Sequence, residues 1–159
     1  LLVVDLPVVL QVEVLEEEAL EVGKRRIAYL CSTMSEMKLC PCCSGKIYSD
    51  CCQPFHKGEI VPTAEKLMRS RYVAYAICLP EYLIETTYPA KRKGLSIDEI
   101  IDWSKSNRWE KLEIVNSNAS IVEFKACFAD ENGKLNVHHE RSTFTVDKGK
   151  WYYVKGIFF

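Results

Sequence analysis

The sequence predicts an α+β domain in which helices cover one face of a curved antiparallel sheet, preceded by a small cysteine-rich knuckle. Three observations carry this reading. A helical spacing of apolar residues runs from Thr63 to about Ser104, and from Arg108 onward the spacing changes to alternation. Ahead of both, Cys40, Cys42, Cys43, Cys51 and Cys52 make up five of the eight cysteines. Helices first and strands afterwards is the order of an α+β domain rather than of a parallel α/β sheet.

A length of 159 residues suits one ordinary domain with a small metal module. Lys and Arg number 21 against 22 Asp and Glu, a formal charge of −1, so there is no global electrostatic case for nucleic acid or an anionic membrane. The short basic runs Lys24-Arg25-Arg26 and Lys91-Arg92-Lys93 read as solvated surface. Leu1 to Leu10 is apolar, but no basic residue precedes it, Asp5 and Pro7 interrupt it, and Glu16-Glu17-Glu18 follows. It is also too short for a bilayer, and is read as neither a signal peptide nor a membrane span. Leu1 to Leu15 reads as β-prone and Glu16 to Tyr29 as helix-prone, and neither carries a recognisable site. Cysteines of this kind without an export signal point to a reducing cytoplasm.

Leu39 to Gln53 is where the residue types announce a chemistry. Thiolates suit tetrahedral zinc, and four of them must converge from two segments folded together by a tight turn. Ser44-Gly45 supplies the turn, with Cys40 and Cys42 on one side and Cys51 and Cys52 on the other. Cys43 allows a rival set with Cys40 at C-x2-C spacing, and spacing alone accepts either. Disulfides are the competing reading, but neighbours such as Cys51 and Cys52 bond each other only with strain. The spacing matches neither common ferredoxin run. Four protein ligands leave no open position, so one structural zinc per chain is expected.

Pro54 to Val61 reads as a linker, and His56 within it as an ordinary loop histidine. Thr63 is a good N-cap and Pro80 a stop, which predicts a helix to about Leu79. Its apolar stripe is Ala64, Leu67, Met68, Tyr72, Tyr75, Cys78 and Leu79, with Arg71 in the middle and Arg69 well outside. A cation on an apolar face is costly unless a carboxylate or carbonyls receive it, so Arg71 predicts an acidic partner or a polar pocket, or else a long stem that carries the charge out to solvent. Glu81 to Thr87 predicts a second short helix. Ser96 with Glu99 forms the capping box of a third, running to about Ser104 with Ile97, Ile100 and Ile101 as its buried face.

Four strands follow: Trp109–Asn116, Ile121–Ala129, Val137–Val146 and Lys150–Phe158. Turn residues near Asn118, at Asp130–Gly133 and at Asp147–Gly149 separate them, giving an antiparallel meander. If Lys148-Gly149 is a two-residue loop, Val146 faces Trp151, Phe144 faces Tyr153, Ser142 faces Lys155 and Glu140 faces Ile157. One face is then mostly aromatic, with Glu140, Ser142 and Lys155 inside it as the lining of a pocket. Glu140 is the expected partner of Arg71, and Arg71, Tyr75, Glu140 and Tyr153 form the candidate pocket. A slip of one residue would exchange Glu140 for His139 and Arg141.

Two parts of the chain also resemble known families. Cys40, Cys42, Ser44, Gly45, Cys51 and Cys52 resemble the zinc-binding SEC-C motif, found at the C-terminus of the SecA translocation ATPase and in many unrelated bacterial proteins. Its C-x-C spacing implies Cys40, Cys42, Cys51 and Cys52 as the metal ligands. It has Gly where this chain has Cys43, which implies a backbone conformation that a side chain tolerates poorly. TAEKLMRSRYVAYA, YLIETTYP, WEKLEI, VEFKACF, HHERSTF and WYYVKG are similar, in this order, to the YchJ-like uncharacterised bacterial proteins with an N-terminal SEC-C motif. This resemblance covers about residues 38 to 157. It implies a cone like nuclear transport factor 2 (cystatin-like), helices against a bent antiparallel sheet with a pocket at the open end. Such proteins usually begin a few residues before the first cysteine, where Met34 and Met37 stand here, so residues 1–33 are expected to be a dispensable extension with a start placed too far upstream. The expected divisions are an extension at 1–36, a SEC-C module at 37–56 and the cone at 57–159.

Two functions of different classes are expected. In SecA the module resembles a docking surface for a partner protein, and Lys46, Ile47 and Tyr48 would present a basic and aromatic patch of that type. A structural-zinc adaptor for protein–protein interaction is the preferred reading. The alternative is a small-molecule-binding protein or enzyme using the cone pocket, with Glu140 or His139 transferring a proton and Arg71 holding an anion. Against catalysis, no Asp–His pair, nucleophile motif or phosphate loop is visible, and His138-His139 reads as strand surface. No membrane partner is expected, a homodimer is left open, and balanced charge speaks against nucleic acid at the knuckle. A cavity with free polar groups favours the alternative, and a cone filled by Trp109, Phe144, Trp151 and Tyr153 counts against it.

Overall fold

In the computed structural model of the chain, residues 38–159 are described. The expectations for residues 1–33 and for the boundary at 36 lie outside them. After the knuckle come four helices, α1 (Gln53–His56), α2 (Ala64–Ala76), α3 (Pro80–Glu85) and α4 (Ile97–Ser106). Four strands follow, β1 (Arg108–Ser117), β2 (Ile121–Ala129), β3 (Leu135–Asp147) and β4 (Lys150–Phe158). The sheet order is β1-β2-β3-β4, every pair antiparallel. No helix among the described residues is long and apolar enough to cross a membrane.

The helix starts follow local chemistry. Thr63 Oγ1 accepts the Lys66 N–H at 3.2 Å, and Ser96 Oγ accepts the Glu99 N–H at 3.3 Å. The ends differ from expectation. α2 stops at Ala76 because Cys78 takes a left-handed conformation, φ 57°. The Leu79 N–H then donates to the Ala74 carbonyl and the Cys78 N–H to the Tyr75 carbonyl, a Schellman closure built on cysteine instead of glycine. Pro80 follows as the first residue of α3, where its missing N–H costs nothing. The segment read as a linker contains α1, with Pro54 in its first turn.

α2 is buried on more than its predicted stripe. Ser70, Val73 and Ala74 are covered as well as Leu67, Met68 and Tyr72, since the sheet lies on one side of the helix and the knuckle on another. Leu67 and Val73 are wholly buried, each contributing about 1.5–3 kcal/mol of transfer free energy. In α4 the expected buried face is only partly covered. Ile97 is 42% exposed and Ile100 and Ile101 are half-buried. The helix instead sets the Trp103 ring edge-on against Phe128, centroids 5.4 Å apart.

Lys148 and Gly149, at φ 49° and 77°, form the two-residue turn between β3 and β4, whose left-handed residues match the twist of the strands. Val146 pairs with Trp151 and Phe144 with Tyr153, as the turn predicts. The register then shifts. Thr143 faces Lys155, so Val154 is an extra residue on β4, and beyond it Ser142 faces Gly156 and Glu140 faces Phe158. Lys155 is consequently exposed rather than inward, while Glu140 and Ser142 remain buried. The bulge coincides with a second demand on β4. The chain leaving α3 pairs with it there, the Tyr88 N–H donating to the Tyr153 carbonyl and the Tyr153 N–H to the Thr86 carbonyl.

Candidate functional site

The knuckle is folded by its own backbone. Leu39 and Ile47 form an antiparallel bridge, and the Cys40 N–H donates to the Lys46 carbonyl at 2.8 Å. Between them Cys43 (φ 59°) and Gly45 (φ 76°) turn the chain through left-handed conformations. A 3₁₀ turn over Tyr48–Asp50 then returns Cys51 and Cys52 to the first pair.

The four Sγ atoms of Cys40, Cys42, Cys51 and Cys52 lie within 4.8 Å of one another, and all four residues are buried. Cys42 and Cys51 are 3.5 Å apart and Cys51 and Cys52 3.9 Å. Bonds of about 2.3 Å from a tetrahedral metal would space sulfurs by about 3.8 Å, so the residues fit a four-thiolate ion site. Cys43 stands outside the group, exposed, with its sulfur accepting the Leu112 N–H of β1 at 3.4 Å. Its positive φ is the conformation that the glycine of the resembling motif implies.

Crowding makes the thiols unequal. Contacts with the Cys40 and Cys52 thiols hold Cys42 far below the usual thiol range. The contact with Cys42, together with burial, pushes Cys40 up to about 12, and contacts with Cys40 and Cys42 push Cys52 higher still. Metal binding at such a site must release those protons, so affinity falls as pH falls.

Three ties fasten the knuckle to the cone. His56 Nε2 donates to the Ser70 carbonyl of α2 at 2.9 Å, which leaves Nδ1 to accept from the Tyr48 hydroxyl at 2.8 Å. Burial lowers the pKa of His56, consistent with this neutral form. His56 is therefore a structural link, not the loop histidine expected. Arg69 Nη1 donates to the Cys42 carbonyl at 3.0 Å, and the Cys43–Leu112 contact reaches β1. Cysteines and cone residues accordingly share one hydrophobic core. In the expected docking surface Lys46 is exposed, but Ile47 is half-buried in its bridge and Tyr48 has its hydroxyl engaged by His56.

The cone is not filled. α2, α4 and the inner face of the sheet enclose a cavity of about 270 Å³, and Arg71, Tyr75, Glu140 and Tyr153 all line it. Trp109 lies against its wall, stacked on Tyr75 with centroids 5.5 Å apart. Trp151 points elsewhere, its Nε1 donating to the Pro62 carbonyl at 3.2 Å.

Arg71 and Glu140 do not form the expected ion pair. Arg71 Nη1 donates to the Leu83 carbonyl and the Thr86 hydroxyl, each at 2.7 Å, and to the Thr87 hydroxyl at 3.3 Å. Oxygens at the C-terminal end of α3 thus take the place of a carboxylate, an end whose free carbonyls favour a cation. Tyr153 stands between the two charged groups. Its ring lies 4.8 Å from the guanidinium carbon of Arg71, and its hydroxyl donates to Glu140 Oε1 at 3.1 Å. Burial lowers the pKa of Arg71, which nonetheless keeps its charge at neutral pH.

Glu140 Oε1 also accepts from Ser142 Oγ at 2.5 Å, and Oε2 lies 2.8 Å from His138 Nε2. The carboxylate–histidine pair that the sequence reading did not find is therefore present, with Glu in place of Asp. Its signal was the i, i+2 spacing of His138 and Glu140, which puts both on one face of a strand. His139 faces the other way, 2.9 Å from Glu123 Oε1 and tilted against the Phe159 ring, so it is not a group of this cavity.

Burial works to raise the pKa of Glu140, but the hydrogen bonds from His138, Ser142 and Tyr153 outweigh it and hold the carboxyl below its usual value of 4.5. A carboxyl with a depressed folded pKa contributes stability that is fully present above the unfolded pKa and is lost as pH falls through the folded one. Glu140→Gln is thus expected to flatten the fall in stability below about pH 4.5. Denaturant unfolding of both proteins across that range reads this directly; parallel acid limbs would contradict it.

Comparison with known proteins adds the following. The profile of the family described as YchJ, middle NTF2-like domain, matches residues 63–156. A UPF0225 protein of Actinobacillus succinogenes is 42% identical over 123 residues, 73% of this chain and 79% of its own. A UPF0225 protein of Haemophilus influenzae is 40% identical over 129 residues, 77% and 80% of the two chains. The solution structure of a SEC-C motif containing protein from Rhodopseudomonas palustris superposes with a TM-score of 0.68 at 37% identity, over 74% of this chain and 96% of that one. The crystal structure of a SEC-C motif containing protein from Psychrobacter arcticus gives 0.67 at 36% identity, over 76% and 82%.

Proposed function

Because the chain belongs to the YchJ-like family and carries that family's NTF2-like domain over residues 63–156, we propose that it is a small-molecule-binding protein whose cavity takes a small organic anion and whose knuckle holds one structural zinc ion. The observation that carries the reading is Arg71. It is a buried cation on the wall of a cavity with no carboxylate bonded to it among the described residues. Nη1 makes all three of its hydrogen bonds, while Nε and Nη2 have no hydrogen-bond partner among the described residues. That remaining edge of a guanidinium receives a carboxylate bidentately, and a dry ligand carboxylate would offset the cost of burying the charge.

The walls set the rest of the ligand. Aromatic side chains around about 270 Å³ suit an apolar body of metabolite size, just under the usual range of ligand pockets. The knuckle has four soft donors and no open position, which supports zinc as a structural rather than a reactive ion. A protein partner at Lys46–Tyr48 has less support, because the Tyr48 hydroxyl is engaged by His56 and Ile47 is half-buried.

Fluorine NMR with 4-fluorophenylacetate and the neutral 4-fluorobenzyl alcohol tests the reading. The carboxylate should broaden and shift saturably and bind at least about tenfold more tightly than the alcohol, the value of one charged hydrogen-bonding pair. Arg71→Met should remove that preference. Equal affinity for the two probes in the wild-type protein would overturn the proposal.

A further inference from the structure

The cavity contains more chemistry than binding an anion requires. Its titratable lining is Arg71, Tyr72, Tyr75, His138, Glu140 and Tyr153. Glu140 is occupied, since Ser142 and Tyr153 donate to one oxygen and His138 stands at the other. A carboxylate can only accept, so His138 carries its proton on Nε2 and its lone pair on Nδ1. Nδ1 has no hydrogen-bond partner among the described residues. The imidazole is flanked by Phe124 and Phe158, with ring centroids at 6.0 and 5.3 Å, which hold its plane. A carboxylate that fixes the tautomer and orientation of a histidine is the arrangement that makes imidazole a general base.

We infer that this cavity is a proton-transfer site, in which the Nδ1 of His138 removes a proton from the carbon next to the oxo group of a small 2-oxo acid with an apolar side chain. The inference rests on the anion-binding reading above. The substrate class follows from what the site offers. Arg71 calls for a carboxylate, the aromatic walls call for an apolar side chain, and imidazole is strong enough a base only for a C–H acidified by a neighbouring carbonyl. Tyr75 lines the same cavity, and its hydroxyl has no hydrogen-bond partner among the described residues, so it is the donor for the oxygen on which charge develops.

The step balances without a co-reactant. The C–H bond breaks, its proton passes to Nδ1, and its electron pair forms the carbon–carbon double bond as the carbonyl electrons move onto oxygen. Return of a proton to carbon regenerates the acid, and delivery to oxygen gives the enol. Glu140 acts through His138, which it holds at Oε2, and is a positioning residue.

The test is hydrogen–deuterium exchange at the benzylic carbon of phenylpyruvate in deuterated buffer, followed by proton NMR. The wild-type protein should accelerate exchange in proportion to its concentration. His138→Gln should slow the exchange about a hundredfold while 4-fluorophenylacetate still binds, Glu140→Gln should slow it with the same binding retained, a split that a merely structural role would not produce, and His139→Gln on the outer face should leave it unchanged. Wild-type protein that binds 4-fluorophenylacetate but leaves phenylpyruvate exchange at the buffer rate overturns this inference and leaves the binding reading standing. Wild-type protein that shows no preference for the carboxylate probe overturns both.

Discussion

Cys52→Ser is expected to lose the metal and to destabilise the protein by more than about 4 kcal/mol, the range in which loss of a structural metal falls. Against a total stability of about 5–15 kcal/mol this is the largest single effect anticipated. Cys52 is 1% exposed and lies in the same core as Val61, Leu67 and Tyr72. Its removal leaves three thiols crowded without a shared ion, and it loosens the knuckle, which the bonds of His56 to Ser70 and of Arg69 to Cys42 tie to α2. Elemental analysis should give about one zinc per chain for the wild type and close to none for the variant, with a large drop in Tm. Cys43→Ser is the control and should retain the metal, since Cys43 lies outside the sulfur group. A Cys52→Ser protein with undiminished zinc and Tm would refute the metal site. In wild-type protein, zinc should be lost as pH falls, because protons compete with the metal for the four thiolates.

Gly156→Ala should cost about 2–4 kcal/mol and disable the cavity, although it adds a single methyl group. A Cβ at this position would overlap the carboxyl group of Glu140, which lies directly against the glycine backbone. The carboxylate must swing away and give up its contacts with His138, Ser142 and Tyr153. Ser142 is 2% exposed and would be left without its acceptor, at about 1–3 kcal/mol. Denaturant unfolding measures the loss. In a double-mutant cycle, Glu140→Gln should cost less in the Gly156→Ala background than in the wild type, because the contacts it alters are already broken. A change within about 0.5 kcal/mol of wild type, the ordinary surface value, would show that Glu140 is not held as described.

These two effects differ in how visible their causes are in the chain. The sulfur cluster is legible because metal chemistry restricts the residue types, and a turn of a few residues suffices to bring Cys40, Cys42, Cys51 and Cys52 together. The caps at Thr63 and Ser96 and the turn at Lys148-Gly149 are legible for the same reason, since each depends on groups within three or four residues of one another. Gly156 carries no such signal. Its role depends on the extra residue at Val154, and that bulge coincides with the pairing of β4 to the chain after α3. Arg71 lies between the two cases. Its place on an apolar stripe announces a polar receiver, but the choice between a carboxylate and the carbonyl end of α3 belongs to packing. The His138–Glu140 pair is legible in its i, i+2 spacing, which puts both side chains on one face of a strand, although spacing alone does not say which face is inward.

The sequence by itself determined the metal-binding residue types, the order of helices and strands, the antiparallel meander and the place of an arginine on the apolar stripe of α2. All of these follow from short-range sterics, hydrogen bonding and periodicity. Only the tertiary structure decided that Arg71 and Glu140 stay apart across Tyr153, that His138 rather than His139 faces inward, and that a cavity remains between them. The physical reason is that these outcomes depend on where distant segments meet. A one-residue shift in β4 changes every inward neighbour beyond it, and nothing within a few residues of Glu140 records that shift.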